Sequence, residues 1–436
     1  MSTYLVCSSP IHGHVVPMLT AAAHLVGRGH RVVVLTGARF AGRVRGIGAE
    51  FRPLEGIADF DDRDVPSYLP DRERYRGLAQ AQYDIQRIFV STIPDQYRAV
   101  SRVLAEVRPD AVLVDGAFAG VAPLLLGEGP RPPVVALGVT PLAQSSRDVA
   151  PAGTALPPSA SPLGRVRNRM LGLLARKVLF RKTQRLAQSL FAELGVDRLD
   201  LFVMDISSAF DRFLQLSPAE FEYPRSDLAP NTAFVGTMPS GAGAGAAGAV
   251  AARPDWWGDL DSARAVVHVT QGTIDNRDFD RLVTPTLAAL ADLDVIVVVS
   301  LGGRPESALT ALPGNARAAS YLPYGELLPR CSVMVTNGGY GGVQQALGEG
   351  VPLVVAGDTE DKPEVAARVA WSGSGVDLRT GTPTPEAIRA AVLKVLGEPD
   401  YAVQARRLAA AAARYDTLAL IESELERSAA SWPAWH

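Results

Sequence analysis

YLVCSSPIHGHVVPMLTAAAHLVGRGHRVVVLTG, residues 4–37, decides the fold. A short apolar run at 4–9 passes through a turn carrying Pro10 and two histidines. Small and apolar residues then recur at helical spacing from about Val16 to Gly27, and a second apolar run follows at 30–37. Neither run alternates polar with apolar residues. Strands that are apolar on both sides and separated by a helix belong to a parallel sheet covered on both faces.

Working outward, the same kind of run returns as DAVLVDG (110–116) and PVVALGV (133–139). After position 262 the scheme repeats with AVVHVTQG (265–272), DVIVVVSLGG (294–303), CSVMVTNGG (331–339) and PLVVAGD (352–358). A chain of 436 residues exceeds one ordinary core. The sequence therefore predicts an α/β protein of two Rossmann-like domains facing each other, each a parallel sheet with helices on both faces. Their spans are 1–237 and 256–415, with a Gly/Ala-rich linker at 238–255 whose small residues build no core. Residues 416–436 are expected to form a closing helix that packs back on the first domain. In open α/β sheets ligands sit beyond the carboxyl ends of strands, so each half contributes one wall of a cleft.

Composition narrows the function classes. The chain is 47% hydrophobic and 20% charged, with a net charge of −3, which fits a globular protein and predicts no nucleic-acid partner. No apolar stretch is long enough to span a bilayer, so stable membrane insertion is not expected. The first basic residue is Arg28, which speaks against a secretory signal. The two cysteines, Cys7 and Cys331, lie in or beside buried-strand patterns. A cytoplasmic location is the expectation. The segment RVRNRMLGLLARKVLFRKTQR (165–185) carries eight basic residues and no acidic one. Its favoured reading is a solvated face over an apolar stripe that covers a pocket, with a membrane-surface helix as the alternative. Trp256 and Trp257 read as packing residues at the start of the second domain.

Three segments can carry chemistry. In TNGGYGGVQQALGEGVP (336–352) a strand ends in four glycines within five positions and opens a helix. Glycine lets a ligand approach the backbone, and the free N–H groups and helix dipole attract an anion. The turn matches neither G-x-G-x-x-G nor a P-loop. A nucleotide diphosphate held without metal suits it, and a tight strand-to-helix turn that needs glycine only for positive φ is the alternative. In HVTQGT (268–273) a second strand ends in glycine and a hydroxyl, so Thr273 is either a phosphate donor or a helix cap. In the first half, His14 stands where the first strand enters a helix, and Asp115 ends the strand DAVLVD. A histidine facing the cleft can take a hydroxyl proton, and a carboxylate against its ring fixes the tautomer. His12, one step further from the expected helix start, is the lesser candidate.

Taken in order, PIHGHVVPMLTAAAHLVGRGHRVVVLT (10–36), PDAVLVDGAF (109–118), ASYLPYGELLPRCSVMVTNGGYGGVQQALGEGVPLV (319–354) and DTEDKPEVAARV (358–369) run from end to end of the chain. Their set resembles the inverting, nucleotide-sugar-dependent glycosyltransferases of the GT-B fold, in particular bacterial enzymes that glycosylate macrolides and other natural products. The resemblance implies catalysis by His14 and Asp115. It implies base stacking on Tyr321, with backbone recognition at Leu322, and a phosphate turn of Gly338, Gly339, Tyr340, Gly341 and Gly342. Asp361 and Lys362 match the pair that contacts sugar hydroxyls. The implied partners are a uridine or thymidine diphosphate sugar, acting as co-substrate, and an apolar small-molecule acceptor. Neither a resident cofactor nor a metal is implied, and a homodimer stays open.

Departures from the family pattern concern the donor. Asn337 stands where the turn usually opens with histidine, Gly342 where it carries a hydroxyl, Gln345 where a glutamate holds ribose, and Lys362 replaces a glutamine. Amides still offer donors and acceptors, whereas Gly342 offers no side chain. These departures leave open an altered or weakened donor and a catalytically silent homologue serving as an accessory protein; a nucleotide-sugar epimerase of similar architecture is a separate alternative.

Overall fold

The computed structural model describes residues 1–196, 199–239, 252–273, 276–433 and 435. Most of the Gly/Ala-rich linker lies outside the described residues. Two parallel sheets organise the rest. The first has seven strands: β1 (Thr3–Cys7), β2 (Arg31–Thr36), β3 (Glu50–Pro53), β4 (Ala111–Asp115), β5 (Val134–Gly138), β6 (Arg212–Gln215) and β7 (Thr232–Phe234), in the order β3-β2-β1-β4-β5-β6-β7. The second has six: β8 (Ala265–Thr270), β9 (Val295–Ser300), β10 (Ala316–Ala319), β11 (Val333–Thr336), β12 (Leu353–Val355) and β13 (Gly375–Asp377), ordered β10-β9-β8-β11-β12-β13.

Both orders reverse direction once, between β1 and β4 in the first sheet and between β8 and β11 in the second. At such a switch point the flanking connections leave on opposite faces and open a crevice at the carboxyl ends of the strands. Cys7 pairs with Val114 and Thr270 with Thr336. The residues that follow, His14 and Asp115 on one side and Thr273 and the glycine turn on the other, therefore stand at the two crevices.

The strands at the centre of each sheet are the continuous apolar runs. Leu5, Val6, Val114, Val267 and Val335 are fully buried, each such side chain contributing roughly 1.5–3 kcal/mol. Helix α1 (His12–Gly27) covers one face of the first sheet through Met18, Leu19 and Leu25. It begins a full turn before the Val16 start expected from sequence, with Pro17 inside it. Pro17 lacks the N–H that would bond the carbonyl four residues earlier, which is why it reads as a helix start. Trp257 is buried beneath the second sheet beside Leu260 and Val298, and the Trp256 indole N–H donates to the Ala318 carbonyl at 3.2 Å.

The chain returns to the first sheet at its end. In α6 (Thr417–Ser431), Ile421 and Leu425 join the core beneath α1. The Thr417 hydroxyl donates to the carbonyls of Val235 and Thr237 at 2.7 and 2.8 Å. Glu422 sits against His24 Nε2 at 2.8 Å and accepts from Arg28 Nε at 3.2 Å. The basic segment forms α2 (Pro162–Leu174), a π-turn at Ala175–Leu179 and α3 (Arg181–Glu193). Its apolar stripe faces solvent, contrary to the favoured expectation of a stripe turned inward over a pocket.

Candidate active site

His14 lies in the first turn of α1 and Asp115 is the last residue of β4. His14 Nδ1 is 3.1 Å from Asp115 Oδ1, with the carboxylate fully buried and the imidazole nearly so. Three protein groups hold the carboxylate. The Ser9 N–H and Ser8 hydroxyl donate to Oδ2 at 2.6 and 3.2 Å, and the Ala117 N–H donates to Oδ1 at 2.8 Å. A carboxylate so placed accepts from the ring, which assigns the proton to Nδ1 and leaves Nε2 as the free base. Phe89 lies beside the imidazole with ring centroids 5.9 Å apart.

Burial works against charging this ring, but Asp115 outweighs it through its charge and hydrogen bond. Asp361 and Glu360 add their charges from the opposite lobe, and the His14 pKa stands above its ordinary value. Two other histidines show the contrast. His12 is lowered to about 4 by burial and by Arg43 and Arg39. His268, fully buried within β8 against the Val298 carbonyl and Tyr324 hydroxyl, is lowered to about 4 by burial. His24 and His30 also meet a carboxylate, that of Glu422, but at the amino end of β2; among the described histidines His14 alone has its carboxylate partner at the carboxyl end of a strand.

On the other lobe the turns after β8 and β11 share one local device. The last threonine of each strand accepts, through its hydroxyl, the N–H two residues on: Gly272 to Thr270 at 3.1 Å and Gly338 to Thr336 at 3.2 Å. The Asn337 amide ties the turns together by donating to the Gln271 carbonyl at 2.6 Å. Gly338 has φ of +86°, and a Cβ there would come within 2.8 Å of Val355. Gly339 precedes α4 (Tyr340–Gly348), and Cβ atoms added at Gly339 or Gly341 would meet nothing within 4 Å. Backbone N–H groups at this helix start therefore border open space, as an anion site requires. Thr273 is exposed nearby, and no helix starts at it among the described residues.

The structure separates Tyr340 from the rest of the turn. Its ring is buried with Val343 and Leu347, and its hydroxyl accepts from Gln215 Nε2 of the first lobe at 3.0 Å. It docks lobe to lobe instead of facing the open side. Gly342 and Gln345 follow on α4, both partly buried. Tyr321 is 55% exposed after β10, while Leu322 is buried beneath it. A Cβ on Gly303 would strike the Tyr321 hydroxyl, so glycine there lets the phenol lie across the turn after β9. Arg39 and Arg43 of the first lobe lie within electrostatic reach of this phenol.

Asp361 and Lys362 open α5 (Lys362–Trp371). The buried Lys362 ammonium donates to Thr359 Oγ1 at 2.9 Å and Glu360 Oε2 at 2.5 Å. Against burial, the Lys362 charge holds the Glu360 pKa low, while burial and the Glu360 charge raise that of Asp361. Further along α5, Arg368 is wholly buried between the lobes. It pairs with Glu222 at 2.6 Å and Glu364 at 2.9 Å and lies over the Tyr223 ring at 4.2 Å. Glu364 also accepts from the Gly153 and Ala155 N–H groups of the first lobe, both at 2.8 Å. This buried network and the Gln215 contact escape a reading of sequence. Only the four-residue spacing of Glu364 and Arg368 is visible there, and it reads as a surface pair.

Similarity to known proteins extends over the whole length of the chain. Residues 284–425 match the model of the erythromycin biosynthesis protein CIII-like C-terminal domain. The 4'-demethylrebeccamycin synthase of Lentzea aerocolonigenes is 40% identical over 423 residues, covering 96% of this chain and 98% of that protein. UDP-glucosyltransferase A1 of Starmerella bombicola is 34% identical over 436 residues, covering 98% and 92%. Among solved structures, the calicheamicin glycosyltransferase CalG4 superposes with a TM-score of 0.73 over the whole of both chains at 23% identity. The spinosyn rhamnosyltransferase SpnG superposes with a TM-score of 0.70 at 19% identity, covering 98% of this chain and 100% of that one.

Proposed function

The chain belongs to the GT-B nucleotide-sugar glycosyltransferases related to the natural-product enzymes, and from that premise we propose that it transfers a sugar, with inversion, from a uridine or thymidine diphosphate to a hydroxyl of a mostly apolar small molecule. The observation that carries this reading is the buried His14–Asp115 pair at one switch point, set against an open glycine turn at the other. His14 Nε2 takes the acceptor's proton as its oxygen bonds the anomeric carbon and the bond from that carbon to the diphosphate breaks. Asp115 stabilises the imidazolium that results. Backbone N–H groups at the start of α4, with Thr273, receive the charge on the departing diphosphate. Tyr321 stacks on the base, Leu322 offers it backbone groups, Gln345 meets the ribose, and Asp361 and Lys362 meet the sugar.

In this reading residues 1–237 bind the acceptor, residues 256–415 bind the donor, and α6 straps the second unit to the first. A helix start supplies positive charge through its backbone N–H groups, so transfer is expected to proceed in the presence of a chelator. The intact dyad favours a working transferase over a silent homologue. The test is to rank uridine and thymidine diphosphates by thermal shift, then to incubate the matching sugar nucleotide with an apolar alcohol in EDTA and read the product's anomeric configuration by NMR. Inverted product is expected. A retained configuration, or a donor isomerised without acceptor, overturns the assignment.

A further inference from the structure

Helix α2 is amphipathic in the reverse sense. The residues it turns toward the body are small or polar: Gly164, Asn168 and, at the π-turn, Ala175 are buried, and Asn168 donates to the Arg147 carbonyl at 3.1 Å. Its large apolar side chains point outward instead. Leu163, Val166, Met170 and Val178 are 84%, 60%, 62% and 61% exposed, and Leu173 and Leu174 are exposed between them. Spacings of three and four residues put these side chains on one face, and a contiguous apolar stripe of this kind marks an interaction surface. Arg169, Lys177, Arg181, Lys182 and Arg185 surround its carboxyl-terminal half and form no ion pair with any described residue.

We propose that this face docks on an anionic lipid bilayer, with the apolar stripe in the headgroup region and the cations on lipid phosphates. Charge complementarity selects the occupant. Across 165–185 there are eight basic residues and no acidic one, and although Arg165 and Arg176 pair with Asp148 and Asp205 the rest leave a net positive face, so a second copy would bring like charges together, whereas an anionic surface satisfies both the stripe and its flanks. No helix among the described residues is long and apolar enough to cross a membrane, so the segment lies on the surface. The contact also sits beside the cleft. Gln82 donates to the Leu179 carbonyl and Gln86 to the Thr183 hydroxyl, both at 2.8 Å, and the helical turn holding Gln86 also holds Phe89 beside His14.

The test is co-sedimentation of the full chain with vesicles of phosphatidylcholine alone or mixed with phosphatidylglycerol, at low and high salt. The bound fraction on the anionic vesicles is expected to exceed that on the neutral ones at least about tenfold and to fall severalfold at high salt. The double variant Met170→Glu with Leu174→Glu keeps every basic residue and is expected to lose binding. Both positions are exposed, so its melting temperature should stay at the wild-type value, and Lys182→Glu with Arg185→Glu is the charge-side control. Equal binding to both vesicles, or unchanged binding of the Met170/Leu174 variant, overturns the proposal. So does absence of vesicle binding, whether the face then proves to join two copies, shown by self-association that the double variant abolishes, or to hold an acidic protein.

Discussion

The two crevices meet the same cleft by opposite means. At the end of β4 the machinery is complete within the protein: a buried carboxylate, three protein donors upon it, and an imidazole at 3.1 Å. At the end of β11 there is open space before Gly339 and Gly341, bordered by main-chain N–H groups. One side works by preorganised side chains, and the other by backbone shape that a ligand completes. The difference teaches where damage should appear. On the first side it should reach turnover without touching affinity, and on the second the reverse.

The largest expected effect is His14→Ala. Loss of a general base lowers turnover by about a hundredfold to ten-thousandfold, while nucleotide affinity measured by calorimetry stays at the wild-type value. A matching loss of affinity would break the division between the two sides. Asp115→Asn comes next and sharpens it. An amide N–H directed at Nδ1 favours the tautomer that protonates Nε2, so the plateau rate falls. The variant also removes the charge that holds the His14 pKa above its ordinary value. Activity requires neutral His14 and is lost as pH falls through that pKa, so the acid limb of kcat/KM moves to lower pH in Asp115→Asn. A limb that stays in place would take the dyad out of the mechanism.

Much of this was legible in sequence, and unevenly so for a physical reason. The buried central strands β1, β2, β4, β5, β8, β9, β11 and β12 are continuous apolar runs, and each was read within a few residues. The strands β3, β6, β7, β10 and β13 were not. EFRP, TAF and GVD are three or four residues long, partly buried and mixed in character, so they carry too little periodicity to register. His14 and Asp115 can be placed side by side from sequence because strand ends can be located, and the structure sets them 3.1 Å apart. The family resemblance puts Tyr340 within the donor turn, yet the first residues of α4 point different ways, and its ring goes to the lobe interface. Arg368, Glu222 and Gln215 meet only through tertiary packing, which no local pattern encodes.

The glycine turn allows a finer test, because neighbouring glycines are required for different reasons. Gly338 is held at positive φ with Val355 close by, so Gly338→Ala is expected to cost roughly 1–2 kcal/mol of stability from the backbone alone. Gly339 has φ of −58°, and an added Cβ meets no protein atom within 4 Å. Gly339→Ala should therefore melt like wild type yet bind nucleotide about tenfold more weakly, ~1.4 kcal/mol, because the new methyl group occupies the ligand's approach. Calorimetry beside thermal denaturation separates the two. Unchanged affinity in Gly339→Ala would mean that the turn is only a fold requirement.

The smallest expected effect links the two sides. Lys362 lies on the donor lobe, but its ammonium pairs with Glu360, and Glu360 and Asp361 both act on His14. Lys362→Gln leaves those two carboxylates without their cation. The Glu360 side chain is 45% exposed, so water can take the place of the ammonium at its carboxylate. The bare negative charge should instead raise the His14 pKa further, moving the acid limb of kcat/KM to higher pH by less than Asp115→Asn moves it lower. This shift is opposite in sign to that of Asp115→Asn, although both variants replace a charged side chain with an amide. Observing both signs in one pH series would show that the donor lobe sets the proton affinity of the base, so that the cleft acts as one electrostatic unit despite its two construction methods. A Lys362→Gln profile superposable on wild type would instead leave the dyad governed by Asp115 alone.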